Sequence, residues 1–282
     1  MSKSHLGHII VLTGGMLLSG AVLAQSAPNF EKCTSRATAL DDRITACSRA
    51  IKSGKLSSQH LIAAFNIRGY SWHLKGDDDK AIADLGEVIR LTPQDARAYI
   101  NRGSARAQKG DFDKAIADFN DAVRLAPNES DAYFYRGLAL FCRGKYDAAV
   151  TDFSEAQRLK AGDAYTVLWR FLALARDQKS VDAKQLLADV MSIDQSKWPA
   201  PVINLMVGKS DPEAVFKATE NADKTIHNNQ LCEAKFYVGE WFLLIGDSPK
   251  ARPLFDQAVR ECPRDFDEFS AASAELKRLP KQ

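Results

Sequence analysis

The 282-residue chain has almost no net charge, with 38 basic residues against 36 acidic ones. Without a basic excess to neutralise a phosphate backbone, nucleic-acid binding has little support. No CxxC occurs among the five cysteines, which argues against structural zinc and thioredoxin-type redox chemistry. Beyond residue 24 the histidines are His60, His73 and His227, and they are not spaced as metal ligands. GxSxG, HExxH, GxGxxG and the phosphate-loop pattern are all missing. These absences point to a protein that is not an enzyme and needs no cofactor or metal. Long apolar runs are scarce as well. The one at the N-terminus, Ile9 to Leu23, is interrupted by Gly14, Gly15 and Gly20 and is short for a membrane span.

That run reads as a secretory signal over residues 1–24. Lys3 supplies the basic start, and Val22-Leu23-Ala24 approximates an A-x-A cleavage site before Gln25. The expectation is a periplasmic or secreted protein cleaved near Ala24, without stable membrane insertion; the alternative is a retained anchor. Ala21, not cysteine, follows Leu18-Ser19-Gly20, so the pattern is not that of a lipoprotein. Gln25 to Asn29 reads as a flexible tail.

What the chain has is a repeat. With Ala96 as position 1, the pattern Tyr99, Gly103, Gly110, Ala115, Phe119, Ala122, Pro127 occupies positions 4, 8, 15, 20, 24, 27 and 32. A step back of 34 residues gives Phe65, Gly69, Gly76, Ala81, Leu85, Val88 and Pro93. A step forward gives Tyr133, Gly137, Gly144, Ala149, Phe153 and Ala156, then a mismatch at Ala161. The pattern returns at Gly239, Gly246, Ala251, Phe255, Ala258 and Pro263. Small residues at positions 8 and 20 let two helices of one unit approach closely. A glycine at position 15 ends the first helix in a left-handed conformation, and proline near position 32 stops the second.

In these residues the sequence resembles the tetratricopeptide repeat (TPR) family, whose period is 34. The resemblance covers three units over 61–161 and one over 232–264. It implies an all-α fold: a solenoid of TPR helical hairpins in a right-handed superhelix, with caps at its ends. Residues 25–60 then form a degenerate N-terminal hairpin from Phe30–Leu40 and Asp42–Ile51, and 162–231 a degenerate helical section. Within that section, Tyr165–Arg176 and Val181–Met191 are expected to pair, and Trp198-Pro199-Ala200-Pro201 to break the helical run. Residues 265–282 supply a C-terminal capping helix with a stripe of Phe266, Phe269, Ala272, Leu276 and Leu279, and then a tail. The C-terminal stretches LCEAKFYVGEWFLLIGD and DFDEFSAASAELKRL are similar to the ends of exported bacterial TPR proteins.

Position 7 is Arg68, Arg102 and Arg136, and position 23 is Asp84, Asp118 and Asp152. In the C-terminal unit both change together, to Val238 and Leu254. The covariation predicts a ladder of Arg–Asp pairs across each antiparallel hairpin; the competing reading is a row of anion-binding arginines. The acids in KGDDDKA (75–81) sit where a helix starts and favours negative charge, rather than forming a calcium loop.

Cys232 and Cys262 fall at positions 1 and 31 of the last unit, at one end of a hairpin, where a disulfide would clip it. Cys33 and Cys47 flank the first hairpin and are expected to pair likewise, leaving Cys142. The alternative for each is a small buried apolar side chain. In TPR proteins, helix-A positions 2, 5, 9, 12 and 13 line the concave face. Carried over, they point to Asn66, Tyr70, His73, Ile100, Phe134, Leu138 and Phe141, with Asn101 beside them, as candidate partner-binding residues. Ser104, Ala107, Gln108 and Cys142 share these positions. A carboxylate clamp is not present: of Asn66, Tyr70, Asn101, Asp131 and Tyr135, only Asn101 fits its pattern. The implied function is an exported scaffold or adaptor binding a protein or peptide segment, in envelope assembly, secretion or protease recruitment. The alternative is a self-associating module, a homo-oligomer, whose groove is filled internally by residues 198–220.

Overall fold

Three glycines set the spacing of the hairpins. A Cβ on Gly103 would stand 2.7 Å from the Phe119 ring, one on Gly137 2.9 Å from Phe153, and one on Gly239 2.7 Å from Phe255. Position 8 is therefore the place where helix A rests on the aromatic ring of helix B. Alanines at position 20 (Ala81, Ala115, Ala149, Ala251) are fully buried in the same seams.

A computed structural model of the chain describes residues 28–178, 183, 184, 186 and 197–280. The expected signal segment and most of Val181–Met191 lie outside them. The described helices are α1 (Pro28–Thr34), α2 (Leu40–Lys52), α3 (Ser58–Leu74), α4 (Asp78–Leu91), α5 (Ala96–Lys109), α6 (Phe112–Leu125), α7 (Ser130–Cys142), α8 (Tyr146–Leu159) and α9 (Ala164–Arg176). After these come α10 (Ala200–Met206), α11 (Pro212–Lys217), α12 (Lys224–Leu244), α13 (Ser248–Glu261) and α14 (Asp267–Arg278). α3–α4, α5–α6, α7–α8 and α12–α13 are the hairpins of the repeat. The architecture is an all-α helical solenoid.

The turns follow from the sequence. Gly76, Gly110, Gly144 and Gly246 all take the left-handed conformation, φ 74–88°. In KGDDDKA each aspartate does something different. Asp77 caps α4 through the Lys80 N–H, Asp78 is buried against His73, and Asp79 pairs with Lys109 of the next unit. The Arg–Asp ladder is present and bidentate. Arg68 reaches Asp84 at 2.8 and 2.7 Å, Arg102 reaches Asp118 at 3.0 and 2.7 Å, and Arg136 reaches Asp152 at 2.7 Å twice. Each guanidinium also lies over the position-4 ring of its own helix, Phe65, Tyr99 or Tyr133. The arginines are structural cross-braces.

Both disulfides form, Cys33–Cys47 and Cys232–Cys262, and Cys142 is a buried free thiol. Some boundaries differ from expectation. α1 starts at Pro28, so Pro28 and Asn29 are helical rather than tail, as suits a proline at a first helical position. α12 begins eight residues before Cys232, with Asp223 capping it through Thr225 and Ile226. α13 runs on through Pro253.

Apolar burial is uneven along the chain. One continuous core runs from Ala96 of α5 to α14, and it includes α9 to α12. Ahead of it stand two small clusters. One is built on Phe30, the first disulfide, Ala46, Ala50, Ala64 and Ile67; the other holds Ala81, Leu85 and Ala105.

Candidate functional site: the concave face and its occupant

In the tetratricopeptide family that the repeat resembles, the first helices of the hairpins make the inner face; here these are α3, α5 and α7. α14 packs on α13 and α12 as a cap would, but it also lies directly against α5 and α7. A second face of α14 explains this. Asp267, Ser270, Ala271, Ala274 and Arg278 recur at helical spacing, and Ser270, Ala271 and Ala274 are buried. Side chains this small let the helix sit close to α5 and α7. The groove is therefore occupied by residues 267–278, whereas α10 and α11, within 198–220, pack against α12.

The C-terminal segment meets the ends of three successive A helices. Arg264 stacks over Gly76 at the end of α3 and donates to Asp78 Oδ2 at 2.8 Å. Lys277 lies over Gly110 at the end of α5. Arg278 donates to the Phe141 carbonyl at 2.9 Å and to the Cys142 carbonyl, which closes the end of α7. Cations favour the negative C-terminal ends of helices, and here three ends in a row receive one each. The Gln108 amide also donates to the Phe266 carbonyl at 3.4 Å.

The sequence-predicted site residues divide by helix. Asn66, Tyr70 and Asn101 are half-buried, at the α3–α5 end. His73 is buried, its Nδ1 2.9 Å from Asp78 Oδ1, and its ring lies 6.4 Å from that of Tyr70. Burial pushes the Tyr70 hydroxyl up to about 12, helped by the neighbouring Asp265 carboxylate. Ile100, Phe134, Leu138 and Phe141 are buried. Phe134 packs on Tyr135 and Phe153, and Phe141 is edge-on to Trp169 and Tyr146. Leu138 borders a small cavity between α5, α7 and α14 with room for about one water molecule. Around it, Ser104 Oγ, Gln108 Oε1, Tyr135 OH and Ser270 Oγ have no hydrogen-bonding partner among the described residues.

The electrostatics of α14 carry a conflict. Glu233 and Glu240 lie two turns apart on α12, as Glu268 and Glu275 do on α14, and all four are buried. Burial and the Glu233 charge raise the Glu268 carboxyl well above its usual range; Tyr237 donates to it at 3.1 Å. Glu233 in turn accepts from Tyr165 at 2.9 Å and from Trp198 Nε1 at 2.6 Å. Burial, then the Glu275 charge, pushes Glu240 up to about 8, against the pull of Arg176. Arg176 bridges the second pair, at 3.2 Å from Glu240 and 3.0 Å from Glu275; Arg278 also pairs with Glu275. Burial drives the Cys142 thiol far above its ordinary range, so it is no nucleophile. Among the described residues no group of three His, Cys, Asp or Glu side chains could hold a metal, and no helix is long and apolar enough to cross a membrane.

Sequence reasoning missed the second face of α14 because serine and alanine do not register as an apolar stripe. It also missed a surface ladder joining units: position 14 (Lys75, Lys109, Arg143) pairs with Asp41, Asp79 and Asp113 of the preceding hairpin. A 34-residue comparison of charges would have found its last two rungs.

The tetratricopeptide repeat family matches residues 75–130 and 100–164. Among solved structures, the chain is similar to a tetratricopeptide repeat protein from Parabacteroides merdae, at 16% identity over 83% of this chain and 92% of that one, TM-score 0.60. It is also similar to MamA from Desulfovibrio magneticus, at 17% identity over 60% and 93%, TM-score 0.53. The repeat, its packing and these likenesses agree: the fold is a tetratricopeptide-repeat solenoid.

Proposed function

We propose that this tetratricopeptide-repeat solenoid is an exported scaffold that binds a protein partner through its concave face. The observation that carries the reading is α14 itself: the A-helix face of α5 and α7 accommodates a helix. A face that seats a helix of its own chain has the shape and polarity to seat one from another. Asn66, Tyr70 and Asn101 remain half-buried beside it, and Asn66 Oδ1 and Asn101 Oδ1 have no donor among the described residues. Export is supported by the signal-like segment and by the two disulfides, which persist in oxidising compartments. Envelope assembly, secretion and protease recruitment are the settings this combination fits.

Affinity capture from envelope extract tests the reading, with the wild-type chain and a Tyr70→Ala, Asn101→Ala variant run side by side. The expected result is a discrete set of proteins whose recovery falls at least tenfold with the variant. Equal recovery by both moves the binding surface away from the concave face.

A second reading follows from the same occupancy. A groove already filled suits a structural module that associates through its outer surface. Sedimentation velocity over a hundredfold concentration range separates the two, because a concentration-independent monomer excludes self-association.

A further inference from the structure

We propose that the seat of α14 is an exchangeable helix site. Its incoming partner is an amphipathic helix with α14's small-residue face and basic last turn, but with uncharged side chains where α14 carries Glu268 and Glu275. The inference rests on the concave-face reading above and names the partner class for that face.

Three observations carry it. The first is the quality of the fit. Elsewhere the repeat seams are closed by rings on glycines and by bidentate Arg–Asp pairs, whereas the seat of α14 leaves a small cavity. Ser104, Gln108, Tyr135 and Ser270, which border it, each bury a polar atom that has no hydrogen-bonding partner among the described residues. A polar atom buried without a hydrogen bond costs free energy, so this seat holds its helix less firmly than a seam of paired or apolar groups does.

The second is charge. Docking α14 brings Glu268 to Glu233, with Tyr237 of α12 and Tyr165 of α9 around them. It brings Glu275 to Glu240, with Arg176 of α9, Tyr146 of α8 and Arg278 of α14 itself around them. Two buried carboxylates side by side oppose each other unless one is protonated. Glu240, raised to about 8, holds a proton in the docked state that it releases when undocked. Its contribution is thus fully present below the ordinary glutamate value and is lost as pH rises through 8. Exchange therefore becomes easier in base. A helix with glutamine or alanine at these two places occupies the same seat without the conflict.

The third is the tether. α13 ends at Glu261, and Cys262 is bonded to Cys232 of α12. α14 hangs beyond that bond on a short connection, so it can leave while the α12–α13 hairpin stays clipped. The basic last turn of the incoming helix follows from the ends of α5 and α7, which now receive Lys277 and Arg278.

The test uses fluorescein-labelled peptides of residues 264–280, one native and one carrying Glu268→Gln and Glu275→Gln, read by anisotropy against the full chain at pH 7. The same peptides are run against full-length Ala271→Asp, Ala274→Asp, which undocks α14, and against the milder Arg278→Ala, each checked for helicity by circular dichroism. The neutral peptide is expected to bind the wild-type chain at least tenfold more tightly than the native peptide, and both to gain at least tenfold on the undocked variants. Equal affinity of the two peptides overturns the charge argument. Binding of the neutral peptide to the variants but not to the wild-type chain overturns exchange while leaving the concave face as a helix seat. Binding to none of the three chains overturns both.

Discussion

The two ends of this solenoid are built on different principles. From α1 to α4 the apolar contacts of each hairpin stay with its neighbours, and the long-range contacts are polar, from Arg264 to Asp78 and Asp265 beside Tyr70. The apolar contacts gather in two small clusters, and a disulfide holds the first hairpin. From α5 onward, α14 crosses the inner face and joins the central hairpins to the C-terminal one in a single core. Stability at the first end is close to a sum of local terms, as in an open repeat array. At the second end it depends on a contact between residues more than a hundred apart in sequence, such as Arg278 with the end of α7. The comparison teaches that the repeat motif specifies the hairpins, while the segment outside the motif decides whether the groove is open.

The largest effect that could break this contrast comes from undocking α14. Ala271→Asp with Ala274→Asp places two carboxylates in the buried seam; the thermal midpoint is expected to fall by about 10 °C. An unchanged midpoint in calorimetry means that α14 does not couple the central hairpins. Next come the two clips. Cys232→Ser with Cys262→Ser is expected to remove about 3–4 kcal/mol from the main transition in urea. Cys33→Ser with Cys47→Ser is expected to leave that transition in place and fray only α1–α2, read as faster amide exchange there.

Smaller, and more diagnostic of the ladder, is Arg136→Val. It leaves Asp152 buried without its arginine and is expected to cost about 2–3 kcal/mol by chemical denaturation. Adding Asp152→Leu recreates the pair found at Val238 and Leu254 and should recover most of the loss; no recovery means that the ladder does more than brace a hairpin. The smallest pair sharpens the contrast at the glycines. Gly137→Ala, where a Cβ would stand 2.9 Å from Phe153, is expected to cost about 1–3 kcal/mol. Gly69→Ala, facing Asp84 and Leu85 at 3.3 Å, should cost under about 1 kcal/mol. Equal costs would remove the distinction between aromatic and aliphatic seams.

Much of this was legible in the sequence. The covariation of positions 7 and 23 located the Arg–Asp pairs, because a buried acid needs a partner and the repeat shows where it stands. Cys232 and Cys262 paired as their places at one end of a hairpin implied. The candidate site was legible only as positions. Phe134 and Phe141 were placed on the concave face by register, yet their rings pack inward, at 3% and 0% exposure. Truncating them to alanine would cost about 3–5 kcal/mol each and would test folding rather than binding. The occupant of the groove was not legible at all. Ser270, Ala271 and Ala274 carry no pattern that marks a docking face, and a contact across more than a hundred residues leaves no periodic trace.

Hydrogen exchange read helix by helix on the wild-type chain and on Ala271→Asp, Ala274→Asp tests the occupied groove most directly. If α14 closes the concave face, the variant loses protection in α5, α7 and α14 together, while α1 and α2 exchange as before. Unchanged protection of α5 and α7 would contradict the account.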